Sequence, residues 1–210
     1  MAEVTALWFR QPQLGAPVVV LLHGRHANER SMEGFLPAIP AHYGAVSVRG
    51  LVEVGPDAYA WFENRGIGRP LPESLRATMD QFRAWLDGAI DTQHPVILLG
   101  WSGGTAFAGG LVLDDPTRYR AAALLYGTVP FEAGLDVAVD RLLGLSVLHA
   151  QSDNDPIMPP DLMARTWDYL TNESGADLVT YKTHTGHQLS SDVAEYLPVW
   201  LRGQEEHSLA

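Results

Sequence analysis

The chain has no cysteine, which removes disulfide staples, thiolate nucleophiles and cysteine-based zinc sites from the chemistry open to it. Positive charge is scarce as well: 14 Lys and Arg stand against 25 Asp and Glu, a formal net charge of −11. A chain this acidic lacks the broad electrostatic footprint that nucleic acid or an anionic membrane surface requires. Long apolar runs are also missing. Nothing approaches the roughly 18 uninterrupted apolar residues of a membrane span, and the opening stretch MAEVTALWFRQPQLG has no basic segment followed by an apolar one. These absences lead to the expectation of a cytoplasmic protein that neither inserts into membranes nor binds nucleic acid. Internal repeats and low-complexity segments do not occur.

What is present fits one globular unit. At 210 residues, 46% hydrophobic and 9% aromatic, the chain is expected to form a single domain over residues 1–210. Glu3 to Phe9 reads as an edge strand, and Pro17 to Leu22 (PVVVLL) as a strand buried on both faces. Ser31 to Ile39 has helical spacing limited by Pro37, and Ala45 to Val48 is the next strand. The stretch from Leu51 to Leu71, with three glycines and two prolines and little periodicity, reads as a long loop. Pro72 to Ile90 carries Leu75, Met79, Phe82 and Leu86 on one helical stripe. Further strands are expected at Ala121 to Tyr126, Leu145 to His149 and Ala176 to Tyr181, and further helices at Pro159 to Leu170 and Ser190 to Leu201. The connector Gly127 to Gly144 has room for a short helix but not for a large lid. Strands alternating with helices imply a mostly parallel sheet with helices on both faces, whose ligands bind beyond the carboxyl ends of the strands.

The segment Val96 to Gly104, VILLGWSGG, organises the rest. A β-prone aliphatic run enters Gly100-Trp101-Ser102-Gly103-Gly104, and small residues from Thr105 to Val112 then open a helix. In a G-x-S-x-G elbow the residues two before and two after the serine must be small for strand and helix to approach. Gly100 and Gly104 meet that requirement, which makes Ser102 the candidate nucleophile. The N–H groups that open the following helix face any oxyanion formed there.

A serine hydroxyl needs a base, and the base needs an acid to hold its tautomer. Asp155 and His187 each follow a predicted strand, as Ser102 does, so all three fall at the same end of the sheet. Their chain order, Ser then Asp then His, is that of the α/β-hydrolase fold. His23 with His26, and His184 with His187, have metal-ligand spacing, yet neither pair has a matching carboxylate cluster, so no metal is expected. Trp61 and Phe62 are candidates to line an acyl pocket, whereas Trp101 is expected to pack in the core.

The sequence resembles the α/β-hydrolases, in particular the small bacterial phospholipase/carboxylesterase branch. The resemblance rests on Leu21-Leu22-His23-Gly24 with Asn28 beyond it, Ser47-Val48-Arg49-Gly50, the elbow at 100–104, Asp155-Pro156-Ile157-Met158-Pro159 and Gly186-His187-Gln188-Leu189-Ser190. It implies a cofactor-free esterase or thioesterase whose oxyanion hole is formed by the backbone N–H groups of Arg25 and Gly103. The chain departs from the branch at Arg25-His26-Ala27, where a small or glycine-rich run is usual, and at Gly103. The Arg25 and His26 side chains either narrow the entrance or contact a polar substrate group, or they are solvated loop residues. Two aspartates compete for the acid: counting from the strand end points to Asp153, whereas the family's Asp-Pro-x-x-Pro run points to Asp155. Asp155 is preferred because the prolines stiffen the turn that presents it.

The expected function is a serine hydrolase that cleaves carboxylic esters or thioesters, with a small-molecule ester or thioester as partner. Related acyl transfer is a rival, by a perhydrolase or a lactone hydrolase, and so is a catalytically silent receptor on the same scaffold. Oligomeric state stays open at this stage, a homodimer included.

Overall fold

A computed structural model describes residues 3–205. In chain order its elements are β1 (Ala6–Arg10), β2 (Val18–Leu22), β3 (Gly44–Val48), β4 (Val52–Gly55), β5 (Ala58–Ala60), β6 (Asn64–Gly66), β7 (Arg69–Pro70), α1 (Pro72–Ala89), β8 (Val96–Trp101), α2 (Gly103–Asp114), β9 (Ala121–Leu125), β10 (Ser146–Ser152), α3 (Pro160–Asp168), β11 (Asp177–Thr183) and α4 (Ser191–Gly203). The main sheet has seven strands in the order β1-β3-β2-β8-β9-β10-β11. Only β1 runs antiparallel to its neighbour, β3; the other pairs are parallel.

The continuous apolar strands follow from burial on both faces. In β2, Val18, Val20 and Leu22 turn to one side, where Leu75, Met79, Phe82 and Leu86 of α1 and Phe107 and Leu111 of α2 pack. Val19 and Leu21 turn to the other, against Met32, Ile39 and the α4 residues Val193, Leu197 and Leu201. The α1 stripe is fully buried, and each such side chain contributes about 1.5–3 kcal/mol by leaving water. Helix α2 is buried from Gly104 to Leu113, which explains why its sequence has no polar face.

Three parts of the chain differ from the sequence expectation. Residues 29–38 form a 3₁₀ segment, Glu29–Ala38, capped by the Asn28 side chain accepting from Arg30 N at 3.0 Å. Pro37 has no N–H to give an i→i−4 bond and Gly34 weakens helix propagation, so the tighter turn prevails. The stretch 51–71, read as featureless loop, is two antiparallel hairpins, β4–β5 and β6–β7. Each is closed by a two-residue turn with its second residue at positive φ, Asp57 (52°) and Gly68 (72°), and strands of two to four residues are too short to show periodicity. The connector 127–144 contains turns and no helix. No helix among the described residues is long and apolar enough to cross a membrane.

Candidate active site

The β8–α2 junction sets the position of Ser102. Its backbone lies at φ 54°, ψ −114°, a conformation that costs a non-glycine residue about 1–3 kcal/mol and persists only where its surroundings enforce it. Ser102 N donates to Leu125 O at 2.9 Å. Thr105 Oγ1 clamps the turn from beneath, 2.9 Å from Gly100 O and 2.7 Å from Leu125 O. Sterics explain the flanking glycines: a Cβ on Gly100 would lie 2.5 Å from Gly104 O, and one on Gly104 would lie 2.0 Å from Leu22 O. The crossing of strand and helix therefore leaves no room for any side chain at either position.

His187 and Asp155 come from the loops after β11 and β10, and these loops are tied to each other. Thr185 N donates to Ser152 Oγ at 3.0 Å, and Gly186 N donates to Asn154 Oδ1 at 2.8 Å. Gly186 adopts φ 64°, the left-handed turn that swings the next residue back over the sheet. The result is a linear arrangement. His187 Nδ1 lies 2.7 Å from Asp155 Oδ2, and His187 Nε2 lies 2.9 Å from Ser102 Oγ. Asp155 Oδ1 accepts from Ile157 N at 2.8 Å and Met158 N at 3.1 Å, so both carboxylate oxygens are engaged, and its side chain is 1% exposed. With the carboxylate accepting from Nδ1–H, the neutral ring presents Nε2 as acceptor toward the serine hydroxyl.

Of the two aspartates, it is Asp155 that meets His187. Asp153 pairs instead with His184 Nδ1 at 2.6 Å on the surface. The backbone N–H groups of Arg25 and Gly103 have no hydrogen-bond partner among the described residues. The two residues are neighbours, since a Cβ on Gly103 would lie 3.1 Å from Arg25 N. Two free donors beside Ser102 are what a tetrahedral acyl intermediate would need.

One aromatic assignment changes and another is met only in part. Trp61, expected in the pocket, is 1% exposed; it stacks on Phe107 at 4.5 Å and donates Nε1–H to His23 O at 2.7 Å. The apolar area of the ring is best buried under the sheet, and its single donor finds a carbonyl there. Phe62 does line the cleft that opens on Ser102. Trp101, expected in the core, does pack against it beside Phe35 and Tyr126, but it is half-buried and also lines a cleft at the site, 5.6 Å from the His187 ring.

The histidines with metal-ligand spacing are otherwise occupied. His23 is buried, with Nε2 accepting from Gly50 N at 2.8 Å and Nδ1 2.7 Å from Gly24 O. Burial pushes its pKa below the ordinary 6.5, so the ring stays neutral and braces the loop that presents Arg25. The sequence reading missed this brace. It also missed Thr105 and the bidentate pair of Arg49 with buried Glu29, in which Nε–Oε2 and Nη2–Oε1 are both 2.7 Å. Hydrogen bonding to that guanidinium holds the Glu29 carboxyl below its ordinary range. Only the paired blocks His23-Gly24 and Arg49-Gly50 signalled these contacts, since each follows an adjacent strand. No group of three or more potential metal-ligating side chains occurs among the described residues.

No protein-family model matches the sequence, and no curated protein aligns with it significantly. Solved structures do resemble it. A carboxylesterase from Bacillus cereus superposes with a TM-score of 0.83 at 24% identity, covering 97% of this chain and 95% of that one. One from Mesorhizobium loti gives 0.76 at 23% identity over 89% and 88% of the two chains. Acyl-protein thioesterase 2 from Zea mays gives 0.75 at 16% identity over 96% and 99%. The sheet order, the elbow at Ser102 and these superpositions together establish that the chain has the α/β-hydrolase fold.

Proposed function

We propose that this protein is a serine hydrolase acting on carboxylic esters or thioesters through an acyl-enzyme. The observation that carries the reading is the unbroken chain Asp155–His187–Ser102, at 2.7 and 2.9 Å, beside two N–H groups that have no partner among the described residues. Ser102 Oγ attacks the carbonyl carbon while His187 Nε2 takes the hydroxyl proton, and Asp155 stabilises the imidazolium that forms. The N–H groups of Arg25 and Gly103 hold the oxyanion. His187 then gives its proton to the departing alkoxide or thiolate. Water, deprotonated by the same nitrogen, attacks the acyl-serine, and collapse of the second tetrahedral species releases the acid and restores Ser102. These steps need no cofactor, and the reaction is assigned to the cytoplasm and to a single catalytic unit. The carboxylesterases and the thioesterase that the fold superposes on support ester hydrolysis in general.

The test is covalent labelling combined with turnover. A fluorophosphonate probe is expected to modify Ser102, and 4-nitrophenyl esters and acyl thioesters should be hydrolysed. Ser102→Ala should lose about 10⁶ in kcat with the fold intact. A folded wild-type protein that neither takes up the probe nor turns over any ester would be a silent receptor, and the reading would fall.

A further inference from the structure

Two clefts meet at Ser102, and Arg25, Ser102 and His187 line both. One, of about 570 Å³, is walled by Met32, Phe35, Trp101 and Leu189 together with Ser31 and Gln188. The other, of about 550 Å³, runs under the β6–β7 hairpin and carries Arg25, His26 and Arg65 around Phe62 and Met158. Among the described residues no aspartate or glutamate lines either one. In a chain with 25 acidic and 14 basic residues, two arginines in cleft walls that lack an acidic residue run against the composition.

Among the described residues six of the eleven other arginines pair with carboxylates, as in Arg49–Glu29, Arg83–Asp114 and Arg118–Asp87. Arg25 makes no salt bridge among the described residues; its Nε–H points to His26 Nε2 at 3.2 Å. The turn that carries it is held in place, since His26 sits at φ 67° and its N–H donates to Tyr59 O at 2.9 Å. Arg65 donates from Nη2 to Glu132 O at 3.5 Å and makes a 3.6 Å ion pair with the Glu132 carboxylate, in which the two side chains are 51% and 41% exposed. Water screens such a pair almost completely. Both guanidiniums therefore retain most of their charge for a ligand, and a carboxylate is the group that matches a guanidinium in bidentate geometry.

We infer that the substrate of Ser102 carries a carboxylate on the arm that lies under the β6–β7 hairpin, where Arg65 joins Arg25 in the wall, and an uncharged arm in the other cleft, which has Arg25 but not Arg65. This rests on the hydrolase reading and names its substrate class. The physical logic is local compensation. A protein of net charge −11 repels anions at long range, but screening confines that repulsion to about 8 Å at physiological ionic strength, inside which the two arginines dominate.

Two matched pairs of esters test it, each compared by kcat/KM on the same preparation. Mono-4-nitrophenyl adipate against 4-nitrophenyl hexanoate places the carboxylate on the acyl arm. 4-Acetoxyphenylacetate against 4-acetoxyphenylacetamide places it on the leaving arm. One pair is expected to favour the anion about tenfold, with the ratio falling toward one at high salt and in Arg65→Gln. The ratio is independent of the fraction of a variant that folds. Anion-to-neutral ratios at or below one in both pairs would overturn the inference and leave the hydrolase reading standing. So would a high ratio that survives both Arg65→Gln and Arg25→Gln. No turnover of any of the four esters, together with no fluorophosphonate labelling, would overturn both.

Discussion

Two aspartate–histidine pairs stand side by side at the carboxyl ends of β10 and β11. Asp153 Oδ1 is 2.6 Å from His184 Nδ1, and Asp155 Oδ2 is 2.7 Å from His187 Nδ1. By distance they are equivalent, but their surroundings differ. The side chains of the first pair are 55% and 78% exposed, and those of the second 1% and 19%. Water screens the first, and a pair of that kind is worth about 0–1 kcal/mol. In the second, the other carboxylate oxygen is fixed by Ile157 N–H and Met158 N–H, and the far ring nitrogen faces Ser102. Hydrogen-bond length does not distinguish the two pairs. Burial, a fixed acceptor and the partner of the second nitrogen do.

The comparison can be broken by mutation. His187→Ala should remove about 10⁶ in kcat, because base and nucleophile act as a unit, whereas His184→Ala should leave kcat near its starting value. Next in size, Asp155→Asn should lower kcat by about 10⁴ by favouring the wrong ring tautomer. Asp153→Asn is expected to change kcat by no more than about threefold, as suits an exposed, screened pair. Steady-state kinetics on one ester, with circular dichroism to establish that each variant is folded, reads all four. Greater damage from Asp153→Asn than from Asp155→Asn would transfer the acid role to Asp153.

A smaller effect sharpens the same contrast between buried and exposed histidines. Burial lowers the pKa of both His23 and His149 below the ordinary 6.5. In the unfolded chain each takes up its proton at about 6.5, so below that pH the unfolded state binds more protons than the folded one. Stability is then fully present above pH 6.5 and declines as pH falls, by at most about 1.4 kcal/mol per pH unit for each histidine. Urea unfolding midpoints between pH 7.5 and 5 should show this decline, and His149→Gln should flatten it. An unchanged slope in that variant would place the acid sensitivity elsewhere.

Much of the molecule was legible because its constraints are local. The β8 run, the glycine at 100 and the helix after it are demanded by one strand turning into one helix within nine residues of sequence, from Val96 to Gly104, whereas Gly104 also has to clear Leu22 O of the neighbouring strand β2. The alternation of strands and helices required only periodicities of two and 3.6, and the positions of Ser102, Asp155 and His187 followed from where strands end. The two small hairpins were not legible, since strands of two to four residues carry no period. The places of Trp61 and Trp101 were not fully legible for a related reason: how far each aromatic meets the core or the site depends on how the elbow and the 51–71 stretch fold against each other.

What the sequence determined by itself was the set of chemically competent groups and the end of the sheet on which they gather, because both depend on residue type and on short-range pattern. Tertiary structure alone decided which aspartate reaches the histidine, that Arg25 and Gly103 are neighbours, and that Arg25 and Arg65 line the cleft that opens on Ser102. Each of these is a contact between segments far apart in the chain. Their separations are fixed by the register of β2 with β8 and of β10 with β11, and residue type does not encode that register.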